Sequence, residues 1–164
     1  MPADPNPTPD FTGDVEDLCR WYRQCGLTTA AWVDGYPKLE TDASIGAILM
    51  PGAVSRATRA LLTADIPVFQ DRLWGHHVAL VAPDPRRRIS PGTRKLLRAH
   101  AVIVLPPRTR LLLPRKLSQQ GAEEFWVTAP APAPANSIPS MQLMLALIRE
   151  CVDPHLKART LPTS

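Results

Sequence analysis

Few residues of this chain have the types and spacing that enzyme chemistry needs. Two adjacent histidines, His76 and His77, could ligate a metal, but neighbours on a strand point to opposite faces and cannot hold the same ion. Nucleophilic catalysis requires a serine, cysteine or threonine beside an activating base, and no nucleophile elbow occurs. The eight glycines include no G-x-x-x-x-G-K phosphate loop. The sequence therefore predicts no catalytic residues, no metal site and no cofactor.

The carboxylates also form no predicted catalytic group. Two-metal phosphoryl transfer needs clustered acids, whereas the predicted strands in the middle of the chain hold none. Asp65, Asp71 and Asp84 fall in predicted loops and lie far apart in sequence. Residues of this type in loops usually cap or turn the chain, and we expect that role for them.

Three cysteines and the absence of long apolar runs favour a cytoplasmic location. The cysteines form an odd set, Cys19, Cys25 and Cys151, which fits a reducing compartment better than a disulfide framework. We expect them to be free and buried or half-buried. No run of 18 apolar residues occurs, so no membrane span is expected. Residues 1–12 lack the basic and apolar regions of a signal peptide and are predicted to be a disordered lead-in.

Charge is unevenly distributed along the chain, although the net charge is only +4. Residues 1–42 carry eight acids and three bases, whereas residues 85–122 carry ten bases and no acid. A set of cations without counter-ions attracts polyanions, and arginine suits forked contacts with phosphate. The predicted nucleic-acid-binding residues are Arg86, Arg87, Arg88, Arg94, Lys95, Arg98, Arg108, Arg110, Arg115 and Lys116.

Three other interpretations of this basic stretch stay open. The acidic N-terminal segment could fold over it. The arginines could form a solubilising face, enlarged by the codon usage of a GC-rich bacterial genome, which also favours alanine and proline. An acidic protein could be the partner instead of DNA or RNA.

The elements that must position these residues begin with a helix over residues 14–25, which Gly26 ends. The pair Asp34-Gly35 predicts a tight turn between two short strands. Pro37 lacks a backbone N–H, so the second of these strands is expected at a sheet edge.

The middle of the chain predicts strands and helices in the order β-α-β-β-α-β, which is the order of ferredoxin-like and RNA-recognition-like domains. The second helix begins at an N-cap and N1 pair, Ser90-Pro91. Reading single-stranded RNA on such a sheet needs stacking aromatics on the third strand, where only Trp74 and one histidine are available. The predicted elements are a strand at 45–50, a helix at 54–63, strands at 66–69 and 76–82, a helix at 90–100 and a strand at 102–105.

The predicted fold class is α+β, with this central sheet between an N-terminal and a C-terminal helix. Residues 13–129 form a single domain, and 125–127 are a further strand. An Ala/Pro linker at 130–139 leads to a C-terminal amphipathic helix at 140–152, capped by Ser140, and residues 153–164 are a frayed tail. The helix carries an apolar face that could bind a partner or self-associate, or that could fold back onto its own sheet. Its predicted partner-binding residues are Met141, Met144, Leu145 and Ile148.

The pattern of strands and turns resembles small actinobacterial proteins related to the N-terminal bifunctional DNA primase/polymerase domain, over about residues 14–150. The residues that carry the resemblance are Ile45 to Pro51, Pro67 to Phe69, His77 to Val81 with Pro83-Asp84, Val104 to Pro107 and Phe125 to Val127. Active members of that family perform nucleotidyl transfer with a strand-borne D-x-D carboxylate pair and divalent metal. No predicted strand here carries D-x-D, so the resemblance implies a reduced, non-catalytic relative.

The sequence thus predicts a non-enzymatic, nucleic-acid-associated protein on a primase/polymerase-like scaffold, with DNA or another polyanion as its partner. The alternative is an interaction or regulatory adaptor that uses the C-terminal helix.

Overall fold

A computed structural model describes residues 15–71, 75–115, 125–132, 138–153 and 155 of the 164-residue chain. The helices are α1 (Val15–Gln24), α2 (Gly52–Ala60), α3 (Pro91–Ala99) and α4 (Met141–Val152). The strands are β1 (Ala31–Val33), β2 (Tyr36–Glu40), β3 (Gly46–Met50), β4 (Val68–Gln70), β5 (His77–Val81), β6 (Ile103–Val104), β7 (Arg110–Leu112) and β8 (Phe125–Thr128). Several predicted features lie outside the described residues: the lead-in at 1–12, Trp74, the middle of the linker and most of the tail.

The central sheet confirms the predicted order of elements. The strands lie in the order β6-β3-β5-β4-β8, and every neighbouring pair is antiparallel. Read across the sheet, the four strands of the β-α-β-β-α-β unit therefore lie in the order fourth, first, third, second, as in the ferredoxin-like arrangement. The α+β class, the N-terminal helix and the C-terminal helix are all present.

Two apolar clusters show that the central sheet is buried on both faces, because successive side chains on a strand point to opposite sides. On β5, Val78 and Leu80 face α1 and the residues around it, whereas Ala79 and Val81 face the other three helices. The molecule therefore has three layers: α2, α4 and α3 form the first, the five-stranded sheet forms the second, and α1 with a small sheet forms the third.

The small sheet has the order β1-β2-β7, and its hairpin confirms the predicted turn. Asp34 and Gly35 have φ values of 52° and 83°, as a two-residue type I′ turn requires. The expectation that Pro37 lies at a sheet edge is wrong, because β2 is the middle strand. The ladder to β7 begins one residue later, at Lys38, and the Pro37 carbonyl accepts a hydrogen bond from the N–H of Leu113 at 2.8 Å. The missing N–H of proline thus falls at the end of the ladder.

Helix α1 ends as the sequence predicts, at Gly26. This glycine has φ 88°, and its N–H donates to the Arg23 carbonyl at 3.1 Å. The N–H of Leu27 donates to the Tyr22 carbonyl at 3.0 Å, which completes a Schellman motif. Leu27 and Tyr22 are both buried in the core that α1 shares with the central sheet.

The C-terminal helix is attached to the end of β5. The N–H of Ala82 donates to the Pro139 carbonyl, and the N–H of Met141 donates to the Ala82 carbonyl, both at 2.8 Å. The Ser140 side chain then caps α4 by accepting from the N–H of Leu143 at 3.1 Å, as predicted. Within the described part of the chain, no helix is long and apolar enough to cross a membrane.

Candidate nucleic-acid interface

Helix α3 begins at the predicted cap. The Ser90 hydroxyl accepts from the N–H of Thr93 at 3.2 Å, and Pro91 occupies the first helical position, where its fixed φ suits the helix and its missing N–H costs nothing. Leu97 fixes the orientation of the helix because it is buried in the core beneath α3.

Three cations project from the outer surface of α3. Arg94, Lys95 and Arg98 are exposed and lie three and four positions apart, so they occupy one side of the helix. None of the three has a carboxylate within 4.0 Å among the described residues. Their charges are therefore available to an anion in solution.

The turn before α3 adds three arginines. The Asp84 carboxylate accepts from the N–H of Arg86 at 3.0 Å, and its carbonyl accepts from the N–H of Arg87 at 3.2 Å, so Asp84 has the turn role predicted for it. Arg87 lies 3.7 Å from the Asp84 carboxylate and donates to the Gln142 side chain. Arg86 and Arg88 are exposed. We call the six exposed cations of this turn and α3 the α3 basic surface: Arg86, Arg87, Arg88, Arg94, Lys95 and Arg98.

A cleft of about 300 Å³ separates α3 from α4. Arg87 and Arg88 line it from the turn, and Arg149 lines it from α4. Arg149 is a cation that the sequence analysis missed, because only the packing of α4 beside α3 brings it to the arginines of the basic stretch. The cleft thus extends the α3 basic surface onto a second helix.

A groove of about 520 Å³ runs along the opposite side of α3, between the helix and the edge strand β6. Its walls include Arg94 and Arg98 and the apolar side chain of Ile103, which is 51 % exposed. The α3 basic surface is therefore a ridge with a concave surface on each side, and each of them is lined by arginine.

Two of the other four predicted binding residues, Arg110 and Arg115, do not join this surface. Arg110 is paired with Glu40 at 3.4 Å, and the Arg115 guanidinium lies 3.8 Å from the centre of the Tyr36 ring. Arg108 lies in the turn before β7, with φ 65°. Since β7 belongs to the small sheet, the central sheet separates Arg110 and Arg115 from α3. Arg108 directly follows Pro107, which lines the groove beside Arg94 and Arg98. Lys116 lies outside the described residues.

The predicted partner-binding face of α4 is part of the core. Met144, Leu145 and Ile148 are buried against the central sheet, and Met141 packs at the edge of the same cluster. Met144, Leu145 and Ile148 are therefore core residues and not a partner surface, and Met141 is half-buried beside them. The helix folds back onto its own sheet because this buries its apolar side. Leu143, on the outer side, is 47 % exposed.

The sheet face that RNA-recognition domains use is also occupied. Phe69, Leu80 and Trp126 point from it into a cluster that includes Tyr22 of α1 and Leu39 of the small sheet. Bases cannot stack on a sheet face that the protein's own third layer covers.

Thiols, histidines and carboxylates form no reactive group in the described residues. Cys19 and Cys25 are buried and Cys151 is half-buried, all as free thiols, which confirms the prediction. Burial raises the pKa of Cys25 to about 12 and also raises that of Cys19, so both stay protonated and unreactive at neutral pH. No group of three or more His, Cys, Asp or Glu residues that could hold a metal ion occurs in the described part of the chain.

Searches of protein-family models, curated proteins and solved structures found no match to this chain.

Proposed function

We propose that this protein is a non-enzymatic, nucleic-acid-associated protein that binds the phosphate backbone of DNA with the α3 basic surface. The supporting observation is that six exposed cations lie on one turn and one helix, while only Arg87 has a carboxylate within 4.0 Å in the described structure. A duplex carries closely spaced phosphates, and binding them releases condensed counter-ions, which gives affinity without recognition of sequence.

The mode of binding follows from the surfaces that are free. Arginine forks match the geometry of phosphate oxygens, and the ridge of α3 presents them outward. Because the sheet face is covered, we expect the protein to contact the DNA backbone and not to stack bases on the sheet. The proposal includes a cytoplasmic location, where free thiols persist, and a scaffold related to the primase/polymerase domain without its catalytic carboxylates.

A salt titration tests this function. Binding of a duplex of about 20 base pairs should weaken steeply with salt, with a log–log slope near −4 to −5 if five phosphates are contacted at about −0.9 each. Duplexes of unrelated sequence should bind with similar affinity. The absence of binding at low salt, or a slope near zero, would refute the proposal.

Polyanions that lack nucleic-acid geometry distinguish between two partners for this surface, DNA and an acidic protein. Heparin or poly-glutamate binds any cationic surface, but neither has the regular phosphate spacing of a duplex. If poly-glutamate binds more tightly than DNA at equal charge and equal salt, an acidic protein partner is the better function for the same residues.

A further inference from the structure

The central sheet has an open edge at β6. This strand is the outermost of the sheet, and no strand of the described structure pairs with its outer side. On the inner side, Val104 lies opposite Ile48, and the N–H of Leu105 donates to the Ala47 carbonyl at 3.0 Å. Because hydrogen-bonded and non-hydrogen-bonded pairs alternate along an antiparallel ladder, the N–H and the carbonyl of Val104 point away from β3. The edge therefore presents one backbone donor and one backbone acceptor side by side.

The groove of about 520 Å³ between α3 and β6 runs beside this edge. Its walls are mostly apolar and include Ile89, Leu97 and Val104. Ile103 belongs to the other face of the sheet, because it lies opposite Leu49, which packs against the core around α1. Ile103 is also 51 % exposed. A strand added beside β6 would thus alternate its side chains between the groove and Ile103.

The groove carries positive charge that the described structure does not balance. Arg94 and Arg98 line it from α3 and are exposed. Neither has a carboxylate within 4.0 Å among the described residues, and the described residues that line the groove include no acid. An occupant of matching chemistry therefore combines apolar groups with negative charge.

These charges exclude a second copy of the chain as the occupant. If two copies paired edge to edge through antiparallel β6 strands, the twofold axis would place both α3 helices side by side on the same face of the joined sheets. Arg94 and Arg98 of each copy would then face their counterparts, and like charges across an interface weaken association.

We propose that the groove between α3 and β6 binds an extended acidic peptide, which adds to the central sheet as a strand beside β6. The peptide backbone pairs with the N–H and the carbonyl of Val104, and its carboxylates contact Arg94 and Arg98. Its apolar side chains cover Ile103. A nucleic acid has no alternating N–H and carbonyl groups along its backbone, so the open edge favours a peptide in this groove.

The segment that is recognised is short, because the open edge ends close to Val104 on both sides. The Val102 N–H already donates to the Leu97 carbonyl at 2.9 Å. Pro106 has no N–H, and its carbonyl accepts from the Thr41 hydroxyl at 2.9 Å. A short edge limits indiscriminate pairing with other strands, so the charge of the peptide selects the partner.

This peptide site goes beyond nucleic-acid binding and does not depend on it. Arg94 and Arg98 belong to both surfaces, whereas the backbone of Val104 serves only an added strand. Peptide binding without DNA binding would refute only the nucleic-acid function, and DNA binding without peptide binding would refute only the peptide site.

The test uses the full chain and a fluorescein-labelled peptide in which glutamate and valine alternate over about eight residues, a typical strand length. As a strand, this peptide has all its glutamates on one face and all its valines on the other. Fluorescence anisotropy should show saturable binding. Arg94→Gln/Arg98→Gln should weaken it at least ~10-fold, because two charge-assisted contacts are lost.

Two N-methylated forms of the peptide test strand addition without altering the protein. Successive N–H groups of a strand point to opposite edges, so methylated glutamate nitrogens block one edge of the peptide and methylated valine nitrogens block the other. Only one edge faces β6, so one form should bind at least ~10-fold more weakly and the other should bind like the parent peptide. Loss in the glutamate form indicates an antiparallel added strand, because the residue opposite Val104 then bonds to it and shares its face. Loss in the valine form indicates a parallel one.

Protein variants complete the design. The N–H of Val104 points away from β3, so Val104→Pro leaves the ladder intact, and peptide binding should fall at least ~10-fold with an unchanged circular dichroism spectrum. Ile103→Ser should weaken binding at least ~3-fold, because apolar contact is lost. Leu143→Ser is the matched control: it alters a similarly exposed side chain on α4 and should bind like the wild type. Equal binding by the two N-methylated forms, or no saturable binding at millimolar peptide, would overturn the proposal.

Discussion

The indole nitrogen of Trp126 donates a hydrogen bond to the phenolic oxygen of Tyr22 at 2.9 Å, and Tyr22 donates in turn to the carbonyl oxygen of Pro114. These bonds are buried and join β8, α1 and the segment after β7. The rings of Tyr22 and Phe69 lie 5.7 and 5.3 Å from the Trp126 ring. The third layer is therefore fixed to the central sheet by polar contacts inside an aromatic cluster.

Removing the Tyr22 hydroxyl should cost stability without changing the shape of the core. Tyr22→Phe removes the hydrogen bonds of the hydroxyl with the Trp126 N–H and the Pro114 carbonyl, at about 1–3 kcal/mol each, so we expect a loss of about 2–6 kcal/mol in the free energy of unfolding. Urea denaturation of Tyr22→Phe, Trp126→Phe and the double variant measures the coupling between the two side chains. Additive losses would show that the hydrogen bond contributes nothing.

Helix α3 ends in a conformation that suits glycine, although alanine occupies the position. Ala101 has φ 54°, and the N–H of Val102 donates to the Leu97 carbonyl at 2.9 Å, as in the motif that ends α1 at a glycine. Because the left-handed region costs a residue with a Cβ about 1–2 kcal/mol, Ala101→Gly should stabilise the protein by about 1 kcal/mol. Thermal unfolding measures the change.

The control for this variant is Ala99→Gly, two residues earlier and still helical. Glycine at position 99 should destabilise the protein by about 0.5–1 kcal/mol, because the helical conformation gives glycine no steric advantage over alanine. Equal effects at the two positions would contradict the conformational explanation.

The central sheet could be predicted because its signals are local. The run from Ile45 to Met50 and the cap at Ser90 each specify an element within a few residues, and so does the turn at Asp34-Gly35. Two placements could not be predicted in this way. The strand at 125–127 joins the sheet as β8 beside β4, and Pro37 lies in a middle strand. Both depend on contacts between distant segments, which a local pattern does not encode.

The two sides of α4 should respond differently to truncation. Met144 is 1 % exposed and packs against the sheet, whereas Leu143 beside it is 47 % exposed. Met144→Ala should cost about 2–4 kcal/mol of stability, since it removes buried contacts and leaves a cavity. Leu143→Ala should change stability by less than about 0.5 kcal/mol. Similar losses at the two positions would argue against the core role of α4.

Stability should fall on mild acidification, and His77 should account for part of the fall. Burial lowers the pKa of His77 below its ordinary 6.5, and Arg59, Arg56 and His76 lower it further by repulsion. The unfolded chain therefore takes up a proton at pH values where the folded protein does not. Folding loses stability as the pH drops below 6.5, and the loss stops once the lowered pKa is passed.

The measurement compares wild type with His77→Gln between about pH 7 and pH 5. Glutamine does not titrate, so the variant should lose less stability over this interval. Parallel pH profiles for the two proteins would show that His77 titrates alike in the folded and unfolded states.

Only part of the candidate site was predictable from the sequence. The charge count located Arg88, Arg94 and Arg98, but it joined them to Arg110 and Arg115, which the fold carries to the other side of the sheet. The hydrophobic pattern of α4 identified an apolar side without showing what covers it.

The most direct test of nucleic-acid binding by the α3 basic surface compares two double variants of equal charge. Arg94→Gln/Arg98→Gln should weaken duplex DNA binding at least ~10-fold and reduce the salt slope by about 2, whereas Arg110→Gln/Arg115→Gln should change affinity less than ~3-fold. Equal losses in the two variants, or no loss in the first, would contradict binding through α3.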